Sequence, residues 1–261
     1  MFWKRKGKPT TQGREGFRVP DGRRVYAIGD IHGRDDLFDQ IIGLIRADNA
    51  NRGEARVSII LLGDLIDRGP QSAAVVERAM ELRREFPGTR LIIGNHEECF
   101  LAALTGDVGR VRYFMRIGGE ATVRSYWNDH VSFANASFET IAERLPALVP
   151  QEHIDFLGLG EDLIEIGDYA FVHAGIRPGV PLAEQALSDL RWIRSDFLDN
   201  LEDHGKIIVH GHSITAGPDE QVNRIGIDTG AYRSGMLAAL GIEGDQRWYI
   251  IARENVMENA A

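Results

Sequence analysis

Six polar side chains that can bind a metal ion follow apolar segments at separate places in the chain. They are three histidines, two carboxylates and one amide: Asp30, His32, Asp64, Asn95, His173 and His210. A shell of nitrogen and oxygen donors without sulfur suits Mn²⁺, Fe or Zn²⁺, and the histidines disfavour Mg²⁺. Six ligands are too many for one metal with an open position. They suit two cations that share a carboxylate, an arrangement that supports attack at phosphorus.

One short segment, residues 63–70, concentrates charged groups. Asp64, Asp67 and Arg68 lie between two glycines, directly after the apolar run 57–62. An apolar strand that stops at Gly-Asp delivers a carboxylate to the carboxyl edge of a sheet, where open α/β sheets bind ligands. On its own, an Asp–Arg pair usually forms a surface salt bridge. The recurrence of the strand–Gly–Asp pattern elsewhere in the chain favours a functional site.

Three apolar runs in the first half of the chain end in Gly-Asp, Gly-Asp and Gly-Asn. Amphipathic helices are predicted between them, at 37–45 and 70–86. Asp64 follows Asp30 by 34 residues and Asn95 follows Asp64 by 31, which fits βαβ crossovers. Parallel strands would bring these three side chains to one sheet edge. Two aligned carboxylates are unfavourable there unless a cation lies between them.

Histidines extend this pattern in both halves of the chain. His32 lies two residues after Asp30, so in an extended strand both side chains would face the same way. Two strands predicted in the second half run directly into His173 and His210. A single histidine at a strand end is more often structural than a ligand. The joint recurrence favours metal ligands.

The order of the elements predicts an α/β fold with two strand-rich regions and a helical region between them. We predict a flexible basic arm at residues 1–20, one domain at 21–253 and a loose tail at 254–261. The helical region, about residues 98–160, is predicted as an insertion beside the site. Packing of a helical subdomain is the simpler explanation of its aromatic residues.

Composition limits the possible partners. The chain has 261 residues, a formal charge of −9 and a pI of about 5.4, which argues against nucleic acid and anionic membranes. No apolar run approaches the roughly 18 residues of a membrane span, and the basic N-terminal residues lack the apolar segment of a secretory signal. Cys99 is the only cysteine, so no intrachain disulfide can form and a cytoplasmic location is expected. The oligomeric state is left open.

Five motifs resemble those of the phosphoprotein phosphatases, the calcineurin-like dinuclear metallophosphoesterases. They are GDIHG (29–33), GDLIDRG (63–69), GNHE (94–97), HAG (173–175) and HGH (210–212). The match extends over about residues 23–250 in the family's order and looks most like the short bacterial and bacteriophage serine/threonine phosphatases. It implies a two-sheet β-sandwich flanked by helices, with the helical insertion as a cap.

The resemblance also implies a role for each motif residue. The metal ligands would be Asp30 and His32 for the first cation, Asp64 for both, and Asn95, His173 and His210 for the second. His96 resembles the family's general acid, oriented by Asp67. Arg68 resembles the arginine that binds phosphate, and Arg194 is the expected second one, with Arg191 as its competitor. Two divalent cations are implied, most often Mn²⁺, with Fe or Zn²⁺ as alternatives.

The activity that the resemblance implies is hydrolysis of phosphoserine and phosphothreonine in proteins, through a hydroxide shared by two cations. Related bacterial branches instead cleave dinucleoside polyphosphates with the same metals. Ile93 and Ala174 depart from the pattern of many family members and leave the substrate class open, whereas Asp67 favours the protein-phosphatase branch. A third alternative is a non-catalytic phosphate-binding scaffold. The expected partner is a phosphorylated protein or a small phosphoester.

Overall fold

A computed structural model describes residues 16–254 of the chain. Most of the predicted basic arm, residues 1–15, and of the predicted tail, residues 255–261, lies outside the described residues. Val19 is buried, and its N–H donates a hydrogen bond to the carbonyl of Gly244. The packed part of the chain therefore includes residues before position 21.

Strands and helices alternate in the first part of the described chain. A run of helices follows, and the remaining strands come after it. The strands are β1 (Arg23–Ile28), β2 (Arg56–Leu61), β3 (Arg90–Leu91), β4 (Leu163–Ile166), β5 (Tyr169–Val172), β6 (Ile207–His210), β7 (Asp219–Glu220), β8 (Arg224–Gly226), β9 (Met236–Glu243) and β10 (Gln246–Arg253). The helices are α1 (Asp35–Ala50), α2 (Ser72–Glu85), α3 (Asn95–Ala103), α4 (Val108–Phe114), α5 (Glu120–Tyr126), α6 (His130–Ala134), α7 (Phe138–Leu148), α8 (Gln151–Gly158), α9 (Leu187–Trp192), α10 (Ser195–Leu198) and α11 (Ala231–Ser234).

The strands form two mixed sheets of five strands each. The first has the order β10-β9-β1-β2-β3, and β1, β2 and β3 in it are parallel. The second has the order β4-β5-β6-β8-β7, with β5, β6 and β8 parallel. The predicted βαβ crossovers are confirmed, because α1 and α2 connect the three parallel strands of the first sheet.

Successive side chains along a strand point to opposite faces of its sheet, so they belong to different buried clusters. Val25 and Ala27 of β1 pack in one buried cluster with Phe171 of the second sheet, so the two sheets lie face to face. Tyr26 and Ile28 point the other way, into the cluster formed with the helices. Helices α9 and α10 cover the outer face of the second sheet. The predicted two-sheet sandwich flanked by helices is confirmed.

Helices α3–α8 lie between β3 and β4 and form the helical insertion. A one-turn π-helix, Met115–Gly119, joins α4 to α5 and contains Gly118 at φ +118°. A glycine adopts this backbone conformation without the clash of a Cβ atom. The insertion packs on the helical side of the first sheet, where Phe100 and Phe114 belong to the same buried cluster as Ile59.

Candidate active site

The carboxylate of Asp64 lies at the centre of the predicted site. Its side chain is 2% exposed, and three histidine Nε2 atoms surround it. His32 is 3.5 Å and His96 3.8 Å from Oδ2, whereas His173 is 3.4 Å from Oδ1. The two oxygens of one carboxylate therefore face different histidines, as a carboxylate shared by two cations requires.

The loops around Asp64 have unusual backbone conformations. Among residues 16–254, the non-glycine residues with positive φ are His32, Asp64, Asp67, Arg68 and His212. Such conformations cost free energy and persist where the surrounding structure enforces them. The carbonyl of Asp64 accepts hydrogen bonds from the N–H groups of Ile31 and His32, which ties two of these loops together. His32 is thus in a turn, and the predicted extended geometry of residues 30–32 is wrong because β1 ends at Ile28.

Glu97, which was given no role from the sequence, fixes the position of Asp64. Its buried carboxylate accepts hydrogen bonds from the N–H groups of Asp64 at 2.7 Å, Leu65 at 2.8 Å and Gly94 at 3.0 Å. Burial raises the pKa of Glu97 to about 7, and the N–H groups oppose that shift. The 63–70 loop is therefore held against the start of α3.

The ring orientations of the histidines fit metal ligation. His32 Nδ1 lies 2.7 Å from the carbonyl of Ile66, and His173 Nδ1 lies 2.7 Å from the carbonyl of Leu62. Each Nδ1–H donates to its carbonyl, which leaves Nε2 as the free donor for a cation. The buried Nε2 atoms of His32, His210 and His212 have no hydrogen-bond partner. Unpaired buried nitrogens beside a carboxylate are the donor set that a divalent transition metal takes.

His212 joins the cluster in the position expected for His210. Donor atoms of Asp64, His173 and His212 all lie within 4.8 Å of one another. His210 is the last residue of β6, and its ring packs instead against Phe197, with centroids 5.2 Å apart. Asp30 follows the last residue of β1 by two positions, and the same offset from the end of β6 gives His212.

Asp30 and Asn95 are also brought to this cluster. The carboxylate of Asp30 accepts a hydrogen bond from the N–H of His212 at 3.1 Å, and Asn95 Oδ1 lies 3.0 Å from His173 Nε2. Burial, followed by the carboxylate of Asp228, raises the pKa of Asp30 well above its usual range. Asp228, a buried carboxylate two residues after the end of β8, was not predicted as part of the site. This accumulation of buried negative charge favours bound cations.

His96 and Asp67 form a buried pair beside the cluster. His96 Nδ1 lies 2.6 Å from Asp67 Oδ2, and Arg68 Nη2 lies 3.0 Å from His96 Nε2. Burial lowers the pKa of His96, but the carboxylates of Asp64 and Asp67 outweigh burial and hold it above its usual value. The guanidinium of Arg68 also lies 4.9 Å from the ring centre of Tyr232. The three residues predicted for acid catalysis and phosphate binding are therefore in mutual contact.

The structure separates the two candidates for the second phosphate-binding arginine. Arg194 Nη1 donates to the carbonyl of His212 at 3.3 Å, at the edge of the cluster. Arg191 instead forms an ion pair with Asp162 at 2.7 Å, and its Nη1 lies 3.5 Å from Glu98. The geometry therefore favours Arg194.

A model of the calcineurin-like phosphoesterase family matches residues 23–233. The chain belongs to this family. The clusters of histidine and carboxylate side chains around Asp64 are candidate sites for divalent cations. Every helix in residues 16–254 is too short or too polar to cross a lipid bilayer.

Two curated relatives carry the name bis(5'-nucleosyl)-tetraphosphatase, symmetrical. The protein of Acidovorax sp. (strain JS42) is 38% identical over 82 residues, which cover 31% of this chain and 26% of that protein. The protein of Nitrosospira multiformis is 26% identical over 199 residues, which cover 72% of this chain and 60% of that protein. The matched part thus spans between about a quarter and three fifths of these relatives.

A solved structure with the same fold belongs to a protein provisionally assigned as a diadenosine tetraphosphatase. It aligns with a TM-score of 0.62 at 20% identity and covers 90% of this chain and 97% of that chain. At this identity the likeness establishes the fold.

Proposed function

We propose that the protein hydrolyses dinucleoside polyphosphates, the alternative that the sequence left open. The observation that carries this proposal is the match to the Nitrosospira multiformis tetraphosphatase over 72% of the chain. The substrate is a chain of phosphates joined by anhydride bonds, with a nucleoside at each end. Such a polyanion suits a site in which Arg68 and Arg194 lie beside candidate cation ligands.

We assign the cation ligands to residues that surround Asp64. Asp30 and His32 would hold one cation, Asp64 would be shared, and Asn95, His173 and His212 would hold the other. Here His212 replaces the predicted His210, because a ring nitrogen of His212 lies within 4.8 Å of donor atoms of both Asp64 and His173. Divalent cations in such a site neutralise phosphate charge and lower the pKa of water toward neutrality.

The side chains around the ligands have separate tasks. Arg68 and Arg194 bind phosphate oxygens, because a guanidinium can donate two parallel hydrogen bonds to one phosphate. Asp67 accepts from Nδ1 of His96 and so holds the ring with Nε2 toward the substrate. From that position Nε2 protonates the leaving oxygen. A nucleoside diphosphate leaves readily as an anion, so this proton contributes little to cleavage of an anhydride.

The second candidate is hydrolysis of phosphoserine or phosphothreonine. The observation that favours it is the buried His96–Asp67 pair, with 2.6 Å between Nδ1 and Oδ2. An alkoxide is a poor leaving group, and a positioned acid accelerates its departure by about 10²–10⁴-fold. The His96–Asp67 pair would thus accelerate hydrolysis of a phosphomonoester more than hydrolysis of an anhydride.

A side-by-side assay separates the two candidates. Purified protein with Mn²⁺ is given diadenosine tetraphosphate or a phosphoserine peptide, and the products are resolved by chromatography. The first proposal expects symmetrical cleavage to ADP at a kcat/KM well above that for the peptide. Phosphate release from the peptide with the dinucleotide left intact would overturn it in favour of the second. Asp64→Asn protein, prepared in parallel, controls for a contaminating phosphatase.

A further inference from the structure

Thr122, on α5 of the helical insertion, binds Asp67 through one hydroxyl group. Its Oγ1 donates to Asp67 Oδ1 at 2.5 Å and accepts from the backbone N–H of Asp67 at 2.9 Å. Thr122 is fully buried, and so is Asp67. Hydrogen bonds to a buried carboxylate are costly to lose, because the charge is then left unsatisfied.

These contacts decide which oxygen of Asp67 faces His96. With Oδ1 bound to Thr122, Oδ2 is the oxygen that meets His96 Nδ1 at 2.6 Å. Asp67 has φ +71°, a conformation that an unsupported aspartate rarely adopts. Ser72 supports it as well, because its Oγ lies 3.0 Å from the N–H of Asp67 and 2.9 Å from Thr122 Oγ1.

The π-helical turn before α5 supports the next residue of the same loop. The N–H of Arg68 donates to the carbonyl of Gly118 at 3.1 Å. A Cβ atom at Gly118 would lie 2.9 Å from Arg68 Cγ, so the close approach requires glycine. Arg68, at φ +67°, is therefore held by backbone contact with the insertion.

We propose that residues 115–122 of the insertion are a positioning element for the 63–70 loop. Thr122 acts on His96 through the orientation of Asp67, and Gly118 acts on phosphate binding through Arg68. Both are positioning residues, since they act on the proposed chemistry through Asp67 and Arg68. This role rests on the tasks proposed for His96 and Arg68 and is independent of whether the substrate is a dinucleotide or a phosphoprotein.

The test for Thr122 compares Thr122→Val with Thr122→Ser on phenyl phosphate and 4-nitrophenyl phosphate. Valine keeps the shape and removes the hydroxyl, so kcat for phenyl phosphate should fall by about 10- to 100-fold, as for a misplaced group. The loss for 4-nitrophenyl phosphate should be less than about threefold, because that leaving group needs little protonation. Serine should restore the activity, and the exposed Thr105→Val is the control.

Equal losses on the two aryl phosphates would overturn the positioning role and leave Thr122 a structural residue. Unchanged kcat for phenyl phosphate in a Thr122→Val protein with normal metal content would overturn it as well. Neither outcome depends on diadenosine tetraphosphate, so a failure of the proposed substrate remains a separate result.

Gly118→Ala tests the contact with Arg68. The inhibition constant for inorganic phosphate should rise by about 10-fold, the effect expected when a hydrogen bond to a charged group is weakened. The ratio of the rates for the two aryl phosphates should stay unchanged. Gly158→Ala, where a Cβ atom meets nothing within 4 Å, is the matched control. An unchanged inhibition constant in folded Gly118→Ala protein would contradict this part, and the Thr122 variants test the element if Gly118→Ala fails to fold.

Discussion

The two sheets contribute to the site in different ways. At the edge of the first sheet, the loop after β2 carries Asp64, Asp67 and Arg68, so one loop contacts the cation ligands, His96 and the predicted phosphate position. At the edge of the second sheet, His173 and His212 contribute one imidazole each from separate turns. In the proposed assignment, the first edge therefore combines metal binding with proton transfer, whereas the second supplies ligands and Arg194.

The difference shows why spacing predicts the first edge better than the second. In the first sheet each functional residue follows its strand through a glycine, and the glycine marks the turn. In the second sheet His210 and His212 flank a single glycine, and one of them ends the strand while the other lies beyond it. The turn, at φ +62° for His212, decides which imidazole reaches Asp64.

The largest effect should come from Asp64→Asn, because this carboxylate faces donors of both sheets. Loss of a shared anionic ligand should lower kcat by at least about 100-fold, or roughly 2.7 kcal/mol of transition-state stabilisation. The bound metal per chain, measured by elemental analysis, should fall with it. Full metal content together with normal turnover would show that Asp64 is not shared.

Replacement of His96 by Asn tests the proton-transfer task assigned to the first edge alone. The kcat for substrates with poor leaving groups should fall by about 10²–10⁴-fold, and the loss should shrink for 4-nitrophenyl phosphate. Metal content should stay the same, because the proposed ligand set does not include this ring. A loss of equal size on both kinds of substrate would argue against an acid role.

The pair His212→Ala and His210→Ala tests the assignment at the second edge. His212→Ala should weaken metal affinity by more than about 100-fold, since even partners of metal ligands are worth about 10–100-fold. His210→Ala should keep the metal and lose mainly its packing against Phe197, seen as a lower Tm. Titration of apo-protein with Mn²⁺ measures both, and the reverse order of effects would restore the original prediction of His210.

The smallest effect is expected for the two arginines. Arg194→Ala should raise the inhibition constant for phosphate by about 10-fold, the scale of one hydrogen bond to a charged group. Arg191→Ala should leave that constant nearly unchanged, because Arg191 is paired with Asp162. If Arg191→Ala weakened inhibition by phosphate and Arg194→Ala did not, the assignment of Arg194 as the second phosphate-binding arginine would be wrong.

Local patterns in the sequence predicted the parallel strands of the first sheet and five of the six candidate ligands that lie around Asp64. The two-sheet sandwich and the roles of His96, Asp67 and Arg68 came instead from the resemblance to the family. The apolar runs and the intervals between Asp30, Asp64 and Asn95 predicted the parallel strands, because a crossover of fixed length leaves few topologies. Thr122 could not be predicted in this way. It lies 55 residues from Asp67, and a single threonine in a helix carries no local signal of such a contact. Asp228 was missed for a related reason, since its proximity to Asp30 depends on how the two sheets are joined.

The contact between Arg68 and His96 has a consequence for the order of events in catalysis. A guanidinium can only donate hydrogen bonds, so in the contact between Arg68 Nη2 and His96 Nε2, 3.0 Å apart, the histidine nitrogen is the acceptor. The carboxylates of Asp64 and Asp67, however, raise the pKa of His96 and so favour a proton on that ring. The acid role proposed for His96 and the phosphate-binding role proposed for Arg68 therefore require the two side chains to separate when a phosphate group binds.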